Sequence, residues 1–233
     1  MAETITNQTI FEAFFSRWLI SQEHHLHDLL QLIESGDEQN EQMCNNLISD
    51  NIAHYKQYFQ AKKTLVRQNV FLVLAPTWVS SFERAHLWIG GFRPRLAFRV
   101  VINNVFDLTD DQTQRINRVI AEIKEEEDQL THEFDKVQER MISSSILELT
   151  RQMGRPPRNG ASDRNMETAV DTLKLSIEAL VECADFLRRK SCGKIMEILN
   201  PTQCVRFLAA AAQLQVNLRR LGMERDENRL HSA

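Results

Sequence analysis

The chain has 233 residues, 42% of them hydrophobic, with seven glycines, five prolines and 28 Lys+Arg against 32 Asp+Glu for a net charge of -4. That length suits one large domain or two small ones with a sizeable core, and so few turn-formers favour helices over a sandwich of short strands. The negative balance argues against coating nucleic acid unaided, and no stretch approaches the roughly 18 uncharged apolar residues of a membrane span.

The opening MAETITNQTIFEAFF lacks the basic start and small-residue cleavage site of a signal peptide, so the expected location is nucleus and cytoplasm, away from membranes. A first helix is predicted from about Gln8 to Glu34, with Phe11, Phe15, Trp18, Leu26, Leu29 and Ile33 near the 3.6 period and a stop at Gly36. A second runs from about Glu38 to Lys63 or beyond and turns Leu47, Ile48, Tyr55, Tyr58 and Phe59 toward a core. VFLVLAPTW has the composition of a strand, but with no second strand to pair with it reads as buried helix ending before Pro76.

In SSFERAHLWIGGFRPR, Ser80 or Ser81 is expected to cap a short helix reaching Ile89. Gly90 or Gly91 ends it left-handed, Phe92 packs back, and Pro94 opens the next helix. The result is a structural corner; the GxxxxGK[ST] and GxGxxG spacings of phosphate loops are absent. Glu83, at the start of one helix, is expected to pair with Arg93 at the start of the next, beside Arg84 and Trp88.

Thr109 and Gln112 form a capping box, and Ile116, Ile120, Ile123, Leu130, Phe134, Val137 and Met141 continue at three-and-four spacing, broken once at Glu127. This predicts a helix of about 40 residues, roughly 60 Å, packing as an arm of the same chain's bundle, with homodimerisation the alternative and EIKEEEDQ as a solvated face. Residues 109–150 hold eleven acids and five bases, while 151–165 hold four arginines and one aspartate, a contrast that suggests partner surfaces.

RQMGRPPRNGASD reads as a flexible linker over about 151–163 inside one domain spanning 8–222. Beyond it a long helix carries Met166, Val170, Leu173, Ile177, Leu180, Ala184 and Leu187. Asn200 and Pro201 then stop it and cap a last helix faced by Val205, Leu208, Ala212 and Leu221, and 223–233 is expected to be a frayed, charged tail. The architecture predicted is all-α, a bundle of long amphipathic helices joined by short ones.

Cys44, Cys183, Cys192 and Cys204 are too widely spaced for a metal knuckle and read as reduced thiols. His24 and His27 are i, i+3 neighbours without a third ligand, and no HExxH or Ser–His–Asp pattern accompanies the histidines, so no catalytic or metal site is expected.

Several stretches, in order, resemble the plant domain shared by Delay-of-Germination proteins and the C-terminal halves of TGA-type bZIP transcription factors. They are RWL (Arg17 to Leu19), HY (His54, Tyr55), VF (Val70, Phe71), Trp78, FERAHLWIGGFRP (Phe82 to Pro94), LTDDQ, DFLRRKS and ILNPTQCVRFLAA. The resemblance implies a non-enzymatic all-α regulatory domain linked to seed dormancy, germination, abscisic-acid signalling and transcription. Its implied partners are a type 2C protein phosphatase or a bZIP factor.

No Arg/Lys run joined to heptads precedes the matching stretch, so the stand-alone type is expected, without direct nucleic-acid binding; DNA binding by kinship with TGA factors is a second alternative. The candidate partner surfaces are Trp18 with His24, His25 and His27, and Arg151, Arg155 and Arg158. The family is also associated with haem, so a haem or other apolar-ligand sensor is the first alternative. The positions matching its ligands hold Gln215 and Arg219, which leaves His54 and His86 as candidate ligands.

Overall fold

The computed structural model describes residues 2–152 and 161–231, and it is all-α. Seven helices run in the order α1 (Ala2–Ser35), α2 (Glu41–Leu74), α3 (Ser81–Ala85), α4 (Arg95–Asn104), α5 (Asp110–Gln152), α6 (Ala161–Ile198) and α7 (Pro201–His231). Helices α1 and α2 form one antiparallel hairpin and α5 and α6 a longer one. α7 lies along α1 and α2, while α4 packs on α5, α6 and α7, and α3 on α7. The long arm therefore packs within its own chain, as its three-and-four spacing suggested.

Local chemistry sets the helix ends. α1 ends at Gly36, whose φ is 77°, and the Asn40 side chain caps α2 by accepting from the Met43 amide at 3.2 Å. α2 runs through VFLVL to Leu74, interrupted at extended Asn69, whose Oδ1 accepts from the Phe71 amide to restart the helix. Ser80 and Glu83 make a reciprocal capping box on α3, Thr109 and Gln112 do so on α5, and Asn200 and Gln203 on α7.

The last two boxes interlock. Gln112 donates to the Gln203 side chain at 2.7 Å and to the Ile198 carbonyl at 2.9 Å, while Gln203, buried, donates to the Asp107 carbonyl at 3.0 Å. One amide pair thus ties the start of α5 to the α6–α7 corner.

The core is continuous across the bundle, from Phe15 and Trp18 on α1 through Leu65 and Val70 on α2 and Phe98 and Val101 on α4. It continues through Ile116 and Ile123 on α5, Val181 and Leu187 on α6, and Val205 and Phe207 on α7. Leu47, Ile48, Tyr55 and Tyr58 pack against it half-buried, whereas Phe59, also half-buried, lies under the Arg189 guanidinium at the surface.

Several expectations change: α1 starts at Ala2 and not Gln8, and α5 and α6 take in residues 151–152 and 161–163 of the expected linker. α3 ends at Ala85 and not Ile89. α7 continues helically past Gly222 to His231 instead of fraying, because Asp226 accepts from both the amide and the hydroxyl of Ser81 and the Arg225 guanidinium lies 4.9 Å from the Phe82 ring. Buried Gly222 is the residue that meets α3, where a Cβ would stand 2.8 Å from that of Ser80, so Leu221 turns outward and is exposed. Val170 is also exposed, and among the described side chains of α6 the first fully buried one is Ile177. The side chains of Met141 and Met166 lie outside the described residues.

Replacing Gln203 with alanine should lower stability by about 2–3 kcal/mol in urea unfolding, since it strands the Asp107 carbonyl and the Asn200 amide and leaves the Gln112 amide short of a partner. Replacing exposed Gln57 the same way should change it by less than about 0.5 kcal/mol.

Candidate functional site

The WIGGFRP stretch folds as a two-residue turn. Trp88 and Gly91 exchange backbone hydrogen bonds at 2.7 and 3.2 Å, and the residues between them, Ile89 and Gly90, have φ of 43° and 70°. This is a turn with two positive-φ centres, so the left-handed corner is real but does not end a helix. Ile89 is a buried β-branched residue in a conformation that costs about 1–3 kcal/mol and so needs external support.

The support is Arg188, from DFLRRKS on α6, with its guanidinium almost wholly buried. It donates to the carbonyls of Trp88, of Ile89 at 3.0 Å and of Phe92 at 2.7 Å, and it pairs with Asp185 at 2.5 Å. Its cation also lies over the rings of Trp88 and Phe92, at 5.4 and 5.8 Å. Asp185 in turn holds buried Lys62 of α2 at 2.7 Å. Burial and the Arg188 charge pull the Lys62 pKa down to about 8, with Asp185 opposing them.

The two glycines are needed for different reasons. Gly90 requires positive φ, and a Cβ there would stand 2.7 Å from Val73. At Gly91, whose φ is not positive, a Cβ would stand 2.8 Å from the Arg188 guanidinium carbon.

Glu83 and Arg93 do not pair. Arg93 reaches Glu127 at 3.3 Å, and Arg95 holds the same carboxylate at 2.8 Å while its backbone amide donates to it at 3.1 Å. Glu127 is 0% exposed and keeps its place in the apolar register of α5 because it anchors the start of α4. The EIKEEEDQ run is therefore not all solvated. Glu83 completes the α3 cap and receives Arg219 at 3.5 Å, while Arg84 donates to the Val79 carbonyl and Pro94 leads directly into α4.

A second polar cluster lies between α1 and α2. Trp18 is 4% exposed, donates to the His54 carbonyl at 3.1 Å and stacks on the His54 ring at 4.5 Å, so it is core and unavailable to a partner. His25 is half-buried, with its ring edge-on to His54 at 4.5 Å, which removes it from the solvated face. His54 Nε2 is buried without a hydrogen-bond partner, and burial, then the neighbouring His25, pull the His54 pKa from 6.5 down to about 4. Beside them Gln22 donates to the Tyr55 hydroxyl at 2.7 Å and to Gln215 at 3.3 Å.

These residues do not fit haem. An axial histidine needs an open slot before its nitrogen, whereas His54 Nε2 is sealed and its ring is covered by Trp18. Exposed His86 has its Nδ1 2.8 Å from the Phe82 carbonyl, Gln215 is tied to Gln22, and Arg219 donates to the Trp78 carbonyl at 3.2 Å. His24 and His27 are exposed. The Arg151 side chain, and all of Arg155 and Arg158, lie outside the described residues.

Composition reasoning missed Lys62, Asp185, Arg188 and Glu127. The available signals were an acid interrupting the apolar register at 127 and the presence of Asp185 and Arg188 in DFLRRKS; Lys62 reads as an ordinary charge on an amphipathic helix.

Two measurements follow from this geometry. Arg188→Lys should cost at least about 2 kcal/mol in thermal or urea unfolding, because an ammonium lacks the fork that serves three carbonyls and a carboxylate together, whereas exposed Arg189→Lys should cost under about 0.5 kcal/mol. For His54 the folded pKa lies below the unfolded one, so its contribution falls as pH drops through 6.5 and the loss is complete below about 4. His54→Phe, which keeps the stack, should remove about 2 kcal/mol of the stability lost between pH 7 and pH 4.5. An unchanged pH slope in the variant refutes that assignment.

Comparison with known proteins matches these elements to a family. A family profile described as seed dormancy control covers residues 24–103, which includes α2, α3 and the WIGGFRP turn. Protein ZW2 of Arabidopsis thaliana is 30% identical over 232 residues, covering 96% of this chain and 100% of that protein. RESPONSE TO ABA AND SALT 1 of the same plant is 30% identical, covering 98% and 100%. Transcription factor TGA7 is 28% identical across 91% of this chain but only 55% of its own length. With 96% of its length matched at 30% identity to one relative and the profile match over 24–103, this chain belongs to the seed dormancy control family, related to TGA transcription factors.

Proposed function

We propose that this protein is a non-enzymatic plant regulator of the dormancy, germination and abscisic-acid signalling type, acting in nucleus and cytoplasm by binding a protein partner. The observation that carries the reading is the end-to-end similarity to a relative named for its response to ABA and salt, together with similarity to transcription factors over part of their length. The partner class is a type 2C protein phosphatase or a bZIP factor.

The site geometry supports a binding role over a catalytic one. The strongest polar constellation, Lys62, Asp185, Arg188 and the turn carbonyls, is buried and occupied in holding helices together. The net charge of -4, with Lys62 and Arg188 buried, leaves little to neutralise phosphates, so regulation of transcription would run through a partner and not through direct contact with DNA. Among the described residues no helix is long and apolar enough to cross a membrane.

Native co-purification from plant tissue should recover a type 2C phosphatase or a bZIP factor; recovery of chaperones alone refutes the reading. A purified sample should not shift a TGACG duplex at physiological salt. Titration with haem should give no Soret band that depends on His54 or His86, and a band lost in His54→Phe would restore the ligand-sensor alternative.

A further inference from the structure

Helix α6 packs against both α2 and α5, and above it a groove of about 910 Å³ opens between those two helices. Its floor is an outward stripe of α6: Ala179, Cys183 and Phe186, the last a phenylalanine that is 58% exposed. Leu175, 66% exposed, continues the stripe one turn before Ala179. The groove is therefore apolar at its base and, among the described residues, uncovered.

The two walls carry opposite charge. On α2 stand Lys56 and Lys63, and on α5 stand Glu126 and Glu133. The ion pairs now made there are on the surface: Lys63 with Glu182 at 3.5 Å, Glu126 with Lys190 at 2.5 Å and Glu133 with Lys136 at 2.7 Å. Exposed pairs of this kind are worth little and exchange readily for a ligand's charges. The α2 wall runs from Lys56 to Val66, about 15 Å, or close to three turns of a docked helix. Three helices with an open side and small residues at Ala179 and Cys183 leave room for a fourth axis to approach closely, completing a four-helix arrangement.

We propose that this groove binds an amphipathic helix of a partner protein. Its apolar anchors lie at i, i+3 or i+4, and i+7, with carboxylates on the flank toward α2 and Lys or Arg on the flank toward α5. This deepens the regulatory reading by giving the partner a seat and a chemistry. Cys183 supplies a reporter already in place, because it is exposed on the floor while Cys44 and Cys204 are buried and Cys192 is half-buried.

The test is selection from a displayed library of peptides of about 15 residues, crosslinked to stay helical, with the full chain as bait. Expected are sequences with apolar anchors and segregated acidic and basic flanks, which slow thiol labelling of Cys183 and bind Ala179→Glu at least about tenfold more weakly, equivalent to about 1.4 kcal/mol. Exposed Lys63→Glu should select peptides that have lost their acidic flank, which keeps the test decisive if Ala179→Glu folds poorly.

No enriched peptide, enrichment without flank segregation, binding that leaves Cys183 labelling unchanged, or a concentration-dependent dimer of this chain abolished by Ala179→Glu would each overturn the proposal. If tissue extracts yield a partner that Ala179→Glu still holds, the regulatory reading survives and the groove is not its seat. If the parent chain captures no partner but the selected peptides behave as expected, the regulatory reading fails and the groove assignment stands.

Discussion

The guanidinium of Arg188 holds a strained turn, two helices and a connecting corner in one place. A buried arginine is tolerated only when nearly every N–H finds an acceptor, and here the acceptors are the three carbonyls that a turn with two positive-φ centres directs to one side, plus Asp185. The dependence runs both ways. The turn at Ile89 and Gly90 is strained without a cation to gather its carbonyls, and the cation is costly to bury without them. Lys62 extends the arrangement to α2 through Asp185, so DFLRRKS and WIGGFRP, about a hundred residues apart, meet as parts of one polar core.

Around this centre the helices are registered by polar contacts as much as by apolar packing. Glu127 sits where α5 should present a hydrophobic residue and uses that position to hold Arg93, Arg95 and the first amide of α4. The interlocked glutamines Gln112 and Gln203 do the same at the open end of the α5–α6 hairpin. Apolar stripes tolerate sliding by a turn, whereas a buried carboxylate or amide is satisfied in one register only. A bundle of long helices therefore gains a single alignment from a few side chains.

The same economy bears on function. Most residues that stand out in the sequence as motif are consumed by the fold, while the exposed stripe of α6 and the charged walls beside it draw on the motifs only through Phe186 of DFLRRKS. The stretch that matches the seed dormancy control profile carries the turn and Lys62, while the residues that hold them, Glu127, Asp185 and Arg188, come from α5 and α6 beyond it.

By itself the sequence determined the helical class, several helix ends and the Thr109–Gln112 capping box, because caps, apolar periodicity and glycine stops act within a few residues of chain. It also exposed Glu127 as an interruption without revealing its purpose. Only the tertiary structure decided that Arg93 pairs with Glu127 and not Glu83, that Trp18 and His25 line an interior cluster, and that Gly91 makes room for Arg188. It decided likewise that the chain past Gly222 stays helical against α3. Each of these depends on side chains tens of residues apart, and a charge on an amphipathic helix looks the same in sequence whether it meets water or a buried partner.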